Sequence, residues 1–164
     1  MQSLIRLGVL LTVTLTSLYG GSATADFDVT VTVSSSCSVG VSNLDFGTYD
    51  PTSATAKSGS TDITVNCTLL TPYDVNLSTG LSADYATRLM DGDSNASQQL
   101  QYNLYTDSGH STIWGDGSGS TVNVSGVGLG LLTSNTHTVY GEIPIEQDVQ
   151  PQVYRDTITV TVGY

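Results

Sequence analysis

Hydrophobic and polar residues alternate strictly in several short stretches of the chain. In residues 157–164 threonines occupy one side, and the other side carries Ile158, Val160, Val162 and Tyr164. Residues 26–33, DFDVTVTV, show the same alternation, with the apolar side occupied by Phe27, Val29, Val31 and Val33. A period of two with many β-branched residues is typical of β-strands. The pattern therefore predicts a strand near each end of the sequence.

The same alternation predicts four further strands, at residues 61–67, 73–78, 100–106 and 137–145. The last is interrupted at Gly141 and Pro144, for which a bulge or an edge position is the usual reason. Turn-rich segments separate the strands, and residues 84–90 are the only stretch that resembles a helical turn. Short strands separated by turns predict an all-β fold, and an immunoglobulin-like β-sandwich is the architecture that fits best.

Residues 1–25 differ from the rest of the chain. One basic residue, Arg6, precedes an apolar run at 7–18, and Ala23 and Ala25 form a small-residue cleavage pattern. These features indicate a signal peptide cleaved after Ala25, with a retained N-terminal anchor as the alternative. The apolar run is short for a membrane span. We therefore expect an exported chain in which 25 of the 164 residues are removed, leaving the size of one domain.

Charge and cysteines narrow the possibilities further. Without Arg6, three basic residues face fifteen acidic ones, a net charge of −12, which argues against nucleic acid or anionic membrane as a partner. Cys37 and Cys67 are the only cysteines. An even pair in an exported chain indicates a disulfide, with free thiols or zinc ligands as weaker alternatives.

Few residues suggest chemistry. Asp91, Asp93 and Asn95 begin like a calcium loop, but the required glycine and the final glutamate are missing. An Asp/Asn-rich turn is the better interpretation, and a weak surface calcium site is the alternative. His110 and His137 are too few for a metal cluster, and no nucleophile elbow or phosphate loop occurs. We predict no enzyme activity and no catalytic, cofactor or metal site.

One rival function uses Trp114. A monomeric secreted carbohydrate-binding module could stack sugars on this residue, although aromatic side chains of a small sandwich more often lie in the core. Such a monomer would complete its own sheet with residues 27–33.

Several segments together resemble the spore coat U domain. They are LDFGTYDP (44–51), ITVNC (63–67), LQYNLYTDSGHSTIWGDG (100–117), VYGEIPI (139–145) and VYRDTITVTVGY (153–164). The resemblance covers nearly the whole mature chain, with departures at Glu142 and Gln152 that affect only a local turn and the surface charge. That family includes subunits of archaic chaperone–usher pili.

The resemblance implies an incomplete immunoglobulin-like sandwich at residues 37–164 that lacks its final strand. Residues 26–36 would supply a donor strand and a short linker, with Phe27, Val29, Val31 and Val33 entering a neighbour's groove. The terminal strand would line the acceptor groove and contact the chaperone through Ile158, Val160, Val162 and Tyr164.

The partners implied by the resemblance are a periplasmic pilus chaperone, an outer-membrane usher and neighbouring pilin subunits in a head-to-tail polymer. We therefore predict a structural subunit of a cell-surface pilus, with a role in adhesion and biofilm formation and without a cofactor. The expected mature length favours a shaft or adaptor position over a two-domain tip adhesin. A spore-coat or surface-coat protein that uses the same strand exchange is the alternative.

Overall fold

The computed structural model describes residues 20–164. Residues 1–19, most of the predicted signal peptide, lie outside the described part, so cleavage after Ala25 stays a prediction. The contacts separate a unit that ends at Thr32 from a second unit, Val33–Tyr164. Residues 20–36 contain neither helix nor strand. In the described part, no helix is long and apolar enough to cross a membrane.

The second unit is built entirely from β-strands, which confirms the predicted all-β class. The strands are β1 (Cys37–Val41), β2 (Lys57–Cys67), β3 (Pro72–Leu77), β4 (Arg88–Gly92), β5 (Gln99–Tyr105), β6 (Val124–Val127), β7 (Asn135–Ile143), β8 (Tyr154–Arg155) and β9 (Val160–Gly163). They form a six-stranded sheet in the order β1-β2-β7-β5-β4-β8 and a three-stranded sheet in the order β6-β3-β9. All the pairings between these strands are antiparallel.

The core lies between the inward faces of the strands, as the alternation predicts. Its buried residues come mainly from β2, β3 and β5: Ile63, Val65, Cys67, Tyr73, Val75, Leu77, Leu100, Tyr102 and Leu104. Fully burying one aliphatic or Phe-sized side chain of this kind stabilises a fold by about 1.5–3 kcal/mol. Hydrophobic burial along these strands is therefore what holds the two sheets together.

Gly141 is a packing position and not the predicted bulge. It lies within the continuous pairing of β2 with β7, directly opposite Gly59. A Cβ atom at Gly141 would lie 2.6 Å from Phe46 Cζ and 2.7 Å from Leu44 Cδ2. The glycine therefore leaves room for Leu44 and Phe46 to lie against the sheet, and β7 ends at Ile143, before Pro144.

The predicted helical turn at 84–90 is wrong. Residues 84–87 are irregular, and β4 begins at Arg88, pairs with β5 and buries Arg88, Met90 and Gly92. The helix-forming residues in this stretch are overridden by the pairing with β5, because local propensity is a weak prior against tertiary contacts.

Arg88 is the centre of a buried polar network. Its guanidinium, on a residue with 0% exposure, donates to Asn103 Oδ1 at 2.7 Å, to the Trp114 carbonyl at 2.7 Å and to the Ser78 carbonyl at 2.9 Å. Asn103 in turn donates to the Tyr85 carbonyl at 2.9 Å. Burial lowers the pKa of Arg88, while nearby tyrosines and Asp156 act in the opposite direction. The network connects β4 and β5 to two loops, the one between β3 and β4 and the one between β5 and β6.

The Arg88 network can be tested with Arg88→Lys. An ammonium group lacks the planar fork, so carbonyls now paired would be left buried without donors, and we expect a loss of about 1–3 kcal/mol in the free energy of unfolding for each unpaired carbonyl. Urea unfolding followed by the fluorescence of Trp114, the only tryptophan, measures it. The matched control is Arg155→Lys, whose ion pair with Asp93 is exposed, and we expect almost no change there. Equal effects of the two substitutions would contradict the assigned role.

A disulfide joins Cys37 to Cys67 and so attaches β1 to β2. The two residues are directly opposite in the strand pairing, with Cα atoms 4.1 Å apart. The pairing indicated by the sequence is therefore the pairing in the structure. Since β1 has strand contacts on one side only, the covalent bond holds a strand that would otherwise depend on a single row of hydrogen bonds.

Replacing both cysteines should weaken the domain. Closing a loop of 30 residues stabilises a fold by roughly 3–4 kcal/mol in the chain-entropy model. We expect the Cys37→Ala, Cys67→Ala double variant to lose about that much in urea unfolding. A variant that unfolds at the same urea concentration as the parent chain would show that the crosslink does not stabilise β1.

Candidate acceptor groove and donor segment

Two strands of the second unit are sheet edges that approach each other. β1 ends the six-stranded sheet and pairs only with β2, whereas β9 ends the three-stranded sheet and pairs only with β3. The two edge strands are in contact although they belong to different sheets. Each has a free side on which backbone N–H and C=O groups have no strand partner in the described structure. The edges therefore form the two walls of an opening in the sandwich.

The β1 wall has side chains that face the core but are not covered. Directly opposite residues of an antiparallel pair point to the same face. Val39 is opposite Val65 and Val41 is opposite Ile63, and both β2 residues are at most 2% exposed. Val39 and Val41 are nevertheless 43% and 60% exposed. A core-facing valine with this exposure indicates that the layer above it is missing.

The β9 wall repeats the arrangement. Val160 is opposite Leu77 and Val162 is opposite Val75, both of which are buried, yet the two β9 valines are only half-buried. Ile158 packs against the core just before the strand, and Tyr164 is 61% exposed. The predicted terminal face is thus partly buried, and its strand begins at 160 and not at 157. We call the surface formed by Val39, Val41, Ile158, Val160, Val162 and Tyr164 the acceptor groove.

The chain entering β9 is held by hydrogen bonds independent of the free edge. Asp156 accepts from the Tyr102 hydroxyl at 2.6 Å and from the Leu81 N–H at 2.9 Å. The Ser78 hydroxyl accepts from the Thr159 N–H at 2.9 Å. Burial, and then the bond to Asp156, raise the pKa of Tyr102, which keeps its hydroxyl a donor. The β9 wall is therefore fixed in position before any strand occupies the groove.

The predicted donor segment has no strand structure in the described residues. Its four apolar side chains, Phe27, Val29, Val31 and Val33, are 82–88% exposed. Apolar side chains exposed in succession at period two are costly in water, because each loses the burial that strands normally provide. The segment therefore has the alternating sequence pattern of a strand but pairs with no strand in the described residues. Its role as a donor stays a prediction.

The residues considered for chemistry have other partners. Asp91 accepts from the Gln99 side chain, Asp93 pairs with Arg155 at 2.9 Å, and the Asn95 side chain accepts from Ser97. No group of three or more potential metal ligands occurs among residues 20–164. Asp93 and Asn95 lie in the hydrogen-bonded turn between β4 and β5, and Asp91 lies near the end of β4.

Trp114 cannot form a sugar platform, contrary to that interpretation of the sequence. It is 1% exposed and donates from Nε1 to the Val75 carbonyl at 3.0 Å. His137 lies within hydrogen-bond distance of the Tyr73 hydroxyl, at 2.9 Å, and burial lowers its pKa. His110 lies 3.1 Å from Glu142. These aromatic and polar groups are parts of the fold.

Sequence reasoning missed the β1 wall. The segment CSVGV, residues 37–41, alternates, but it is short and contains a glycine, so its signal as a strand is weak. The exposure of Val39 and Val41 becomes meaningful only when their opposite residues in β2 are known. The alternation of apolar residues after Cys37 was the one sequence feature that could have indicated this strand.

Comparison with known proteins identifies the family. The model of the Spore Coat Protein U domain matches residues 23–161. Protein U of Myxococcus xanthus is 30% identical over 158 residues, covering 87% of this chain and 86% of that protein. The chain therefore belongs to the spore coat protein U family.

Comparison with solved structures identifies the fold. A chain in the complex of the chaperone CsuC with the tip adhesion subunit CsuE, from the archaic Csu pili of Acinetobacter baumannii, superposes with a TM-score of 0.57 at 24% identity. The match covers 81% of this chain and 40% of that one, so this chain spans less than half the length of the matched chain. A chain from a chaperone–tip adhesin complex of CFA/I fimbriae reaches a TM-score of 0.46 at 12% identity. The Csu match shows that the fold is the immunoglobulin-like sandwich of pilus subunits.

The uncovered β1 wall can be tested by placing a charge on each member of one opposite pair. Ile63→Asp, opposite Val41, buries a carboxylate at a position with 2% exposure and should cost several kcal/mol in the free energy of unfolding. Val41 lies on the same face but is 60% exposed, so the carboxylate of Val41→Asp stays hydrated. The loss in the free energy of unfolding should therefore be much smaller. Urea unfolding measures both. Similar losses would show that Val41 is covered in solution.

Proposed function

We propose that this chain is a non-catalytic structural subunit of an extracellular archaic chaperone–usher pilus that polymerises by donor-strand complementation. One observation carries the proposal: the β1 and β9 walls expose core-facing valines on both sides of an opening, so one strand is missing from the sandwich. A strand added there would pair with unsatisfied backbone groups and bury apolar side chains in one step.

Residues 26–36 have the properties that the opening requires. Residues 27–33 extend about 23 Å as a strand, and the five residues of β1 extend about 17 Å. Their four apolar side chains would point into the acceptor groove, while Asp28, Thr30 and Thr32 would stay in water. The division of the chain is then a donor strand and linker at 26–36 and an acceptor domain at 37–164.

The partners of this chain follow from the proposed donor-strand exchange. Before assembly the groove needs a substitute strand, which a periplasmic chaperone would supply, and the outer-membrane usher would mediate its replacement by the next subunit's donor. The similarity to a subunit solved in a pre-assembly complex with its chaperone supports this order. Head-to-tail exchange does not close on itself, so it yields a filament at the cell surface. Adhesion and biofilm formation are the roles expected of such a filament.

A coat protein is the second candidate. It is favoured by the description of the matching family model, the Spore Coat Protein U domain. The strand exchange would be the same, and only the final structure would differ. Recovery of the subunit in filaments sheared from cells, lost when the usher is deleted, would favour the pilus over a coat.

The donor segment can be tested with a matched pair of substitutions. Val31→Asp would place a carboxylate against apolar pockets, whereas Thr30→Asp places it on the face that stays in water. We expect Val31→Asp to fold and bind the chaperone but to form few polymers, and Thr30→Asp to polymerise normally. The measurement is the ladder of bands on a denaturing gel without boiling, which collapses to monomer on boiling.

Deletion of residues 26–33 extends the same test. The truncated subunit should still fold with the chaperone and accept a donor, but it should not give one. Polymerisation of the truncated subunit would refute donor-strand exchange through this segment, and so would its failure to fold with the chaperone.

On the acceptor side, Val160→Asp should weaken chaperone binding, and Thr161→Asp, on the opposite face of β9, should not.

A further inference from the structure

A second apolar surface lies outside the acceptor groove. The loop between β2 and β3, the last residue of β6 and the loop that follows it expose large hydrophobic side chains. Their exposure ranges from 49% at Val127 to 101% at Leu132, and scattered single apolar residues would need no explanation, but a cluster does. We call this surface the leucine patch, and its members are Leu69, Leu70, Val127, Leu129, Leu131 and Leu132.

The leucine patch is held together by backbone hydrogen bonds. The Leu70 N–H donates to the Gly128 carbonyl at 2.8 Å, and the Gly128 N–H donates to the Thr71 carbonyl at 2.8 Å. A Cβ at Gly128 would collide with the Thr68 carbonyl, so glycine is required for this approach. Leu70 has a φ of 60°, in the left-handed region that non-glycine residues rarely adopt. The loops are therefore fixed to each other, and their leucines are presented by a defined surface.

The leucine patch adjoins the point where the donor segment leaves the domain. The Thr68 N–H donates to the Ser36 carbonyl at 2.9 Å, next to the Cys37–Cys67 disulfide. Only residues 34–36, three serines, separate Val33 from Cys37. Four residue steps span at most about 14 Å. If Val33 occupies a neighbour's acceptor groove, the end of the domain that carries the patch must lie close to that neighbour.

Charge favours a second copy as the occupant. The mature chain carries fifteen acidic residues against three basic ones, so two copies repel each other wherever carboxylates meet. No charged residue occurs in the loop sequences TLLT (68–71) and GVGLGLL (126–132). The patch is therefore a surface on which another copy can pack without bringing like charges together.

We propose that the leucine patch packs against the neighbouring subunit whose acceptor groove holds this subunit's donor strand, and so forms a second contact between copies in the fibre. The proposal rests on the proposed function, because the short linker brings the patch close to the neighbour only if donor exchange occurs. Burial of these leucines in the contact would restrict the angle between successive subunits as well as strengthen their association.

A thiol-labelling experiment tests the contact. Leu131→Cys is introduced on the patch, and the control is Ala96→Cys, an exposed position in the β4–β5 turn on the side of the large sheet away from β1. Both native cysteines are in the disulfide, so a maleimide reports only the new thiol. We expect Leu131→Cys to react at least tenfold more slowly in polymer than in the chaperone-bound subunit, and Ala96→Cys to react equally in both.

A second pair of variants tests the effect of the contact on the fibre. Leu131→Ser with Leu132→Ser should still give the gel ladder, but its polymer should dissociate at a lower temperature than the parent polymer. Ala96→Ser should behave like the parent. Equal labelling of Leu131→Cys in polymer and subunit would overturn the proposal and leave donor exchange intact, and the patch would then face solvent or an external surface. A parent chain that forms no polymer would instead overturn the proposed function, and this proposal with it.

Discussion

A sandwich of two sheets must cover the inner face of every strand, and in this chain that requirement is not met between β1 and β9. Val41 and Val162 face the same core as fully buried valines on neighbouring strands, but they remain partly in water. Backbone groups along the same two edges lack strand partners within the described residues. Hydrophobic burial and β-sheet hydrogen bonding therefore both favour the addition of one strand. The remaining features of the molecule either hold this opening in place or supply what could fill it.

The opening is preorganised by interactions away from it. The Cys37–Cys67 disulfide attaches the β1 wall to β2, and Asp156 fixes the approach to β9 through Tyr102 and a loop amide. Arg88 stiffens the opposite side of the large sheet with hydrogen bonds to neutral acceptors. These contacts do not involve the free edges, so they hold the two walls of the opening whether or not a strand is added between them. Preorganisation of this kind lowers the ordering cost of binding.

Charge and apolar surface are divided in a way that suits repeated self-association. Fifteen acidic residues stand against four basic ones in the full sequence, and repulsion between carboxylates opposes non-specific association of copies. The surfaces that we assign to contacts between copies, the acceptor groove and the leucine patch, are apolar and uncharged. One lies between two free sheet edges, and the other is formed by loops that are hydrogen-bonded to each other near Ser36. Both can bury leucine and valine side chains without desolvating a carboxylate.

The sequence alone determined the elements whose signal is local. Alternation predicted strands at 61–67, 73–78 and 100–106 because side chains of a strand point to opposite faces at period two, and the sequence motifs led to the correct family. Tertiary structure decided the rest. Residues 88–90 form part of a strand because they pair with β5, Gly141 leaves room for Phe46, and Trp114 lies in the core. The β1 wall is the clearest case, since the exposure of Val39 and Val41 depends on which strands lie beside them and which strand is missing. No local pattern contains that information.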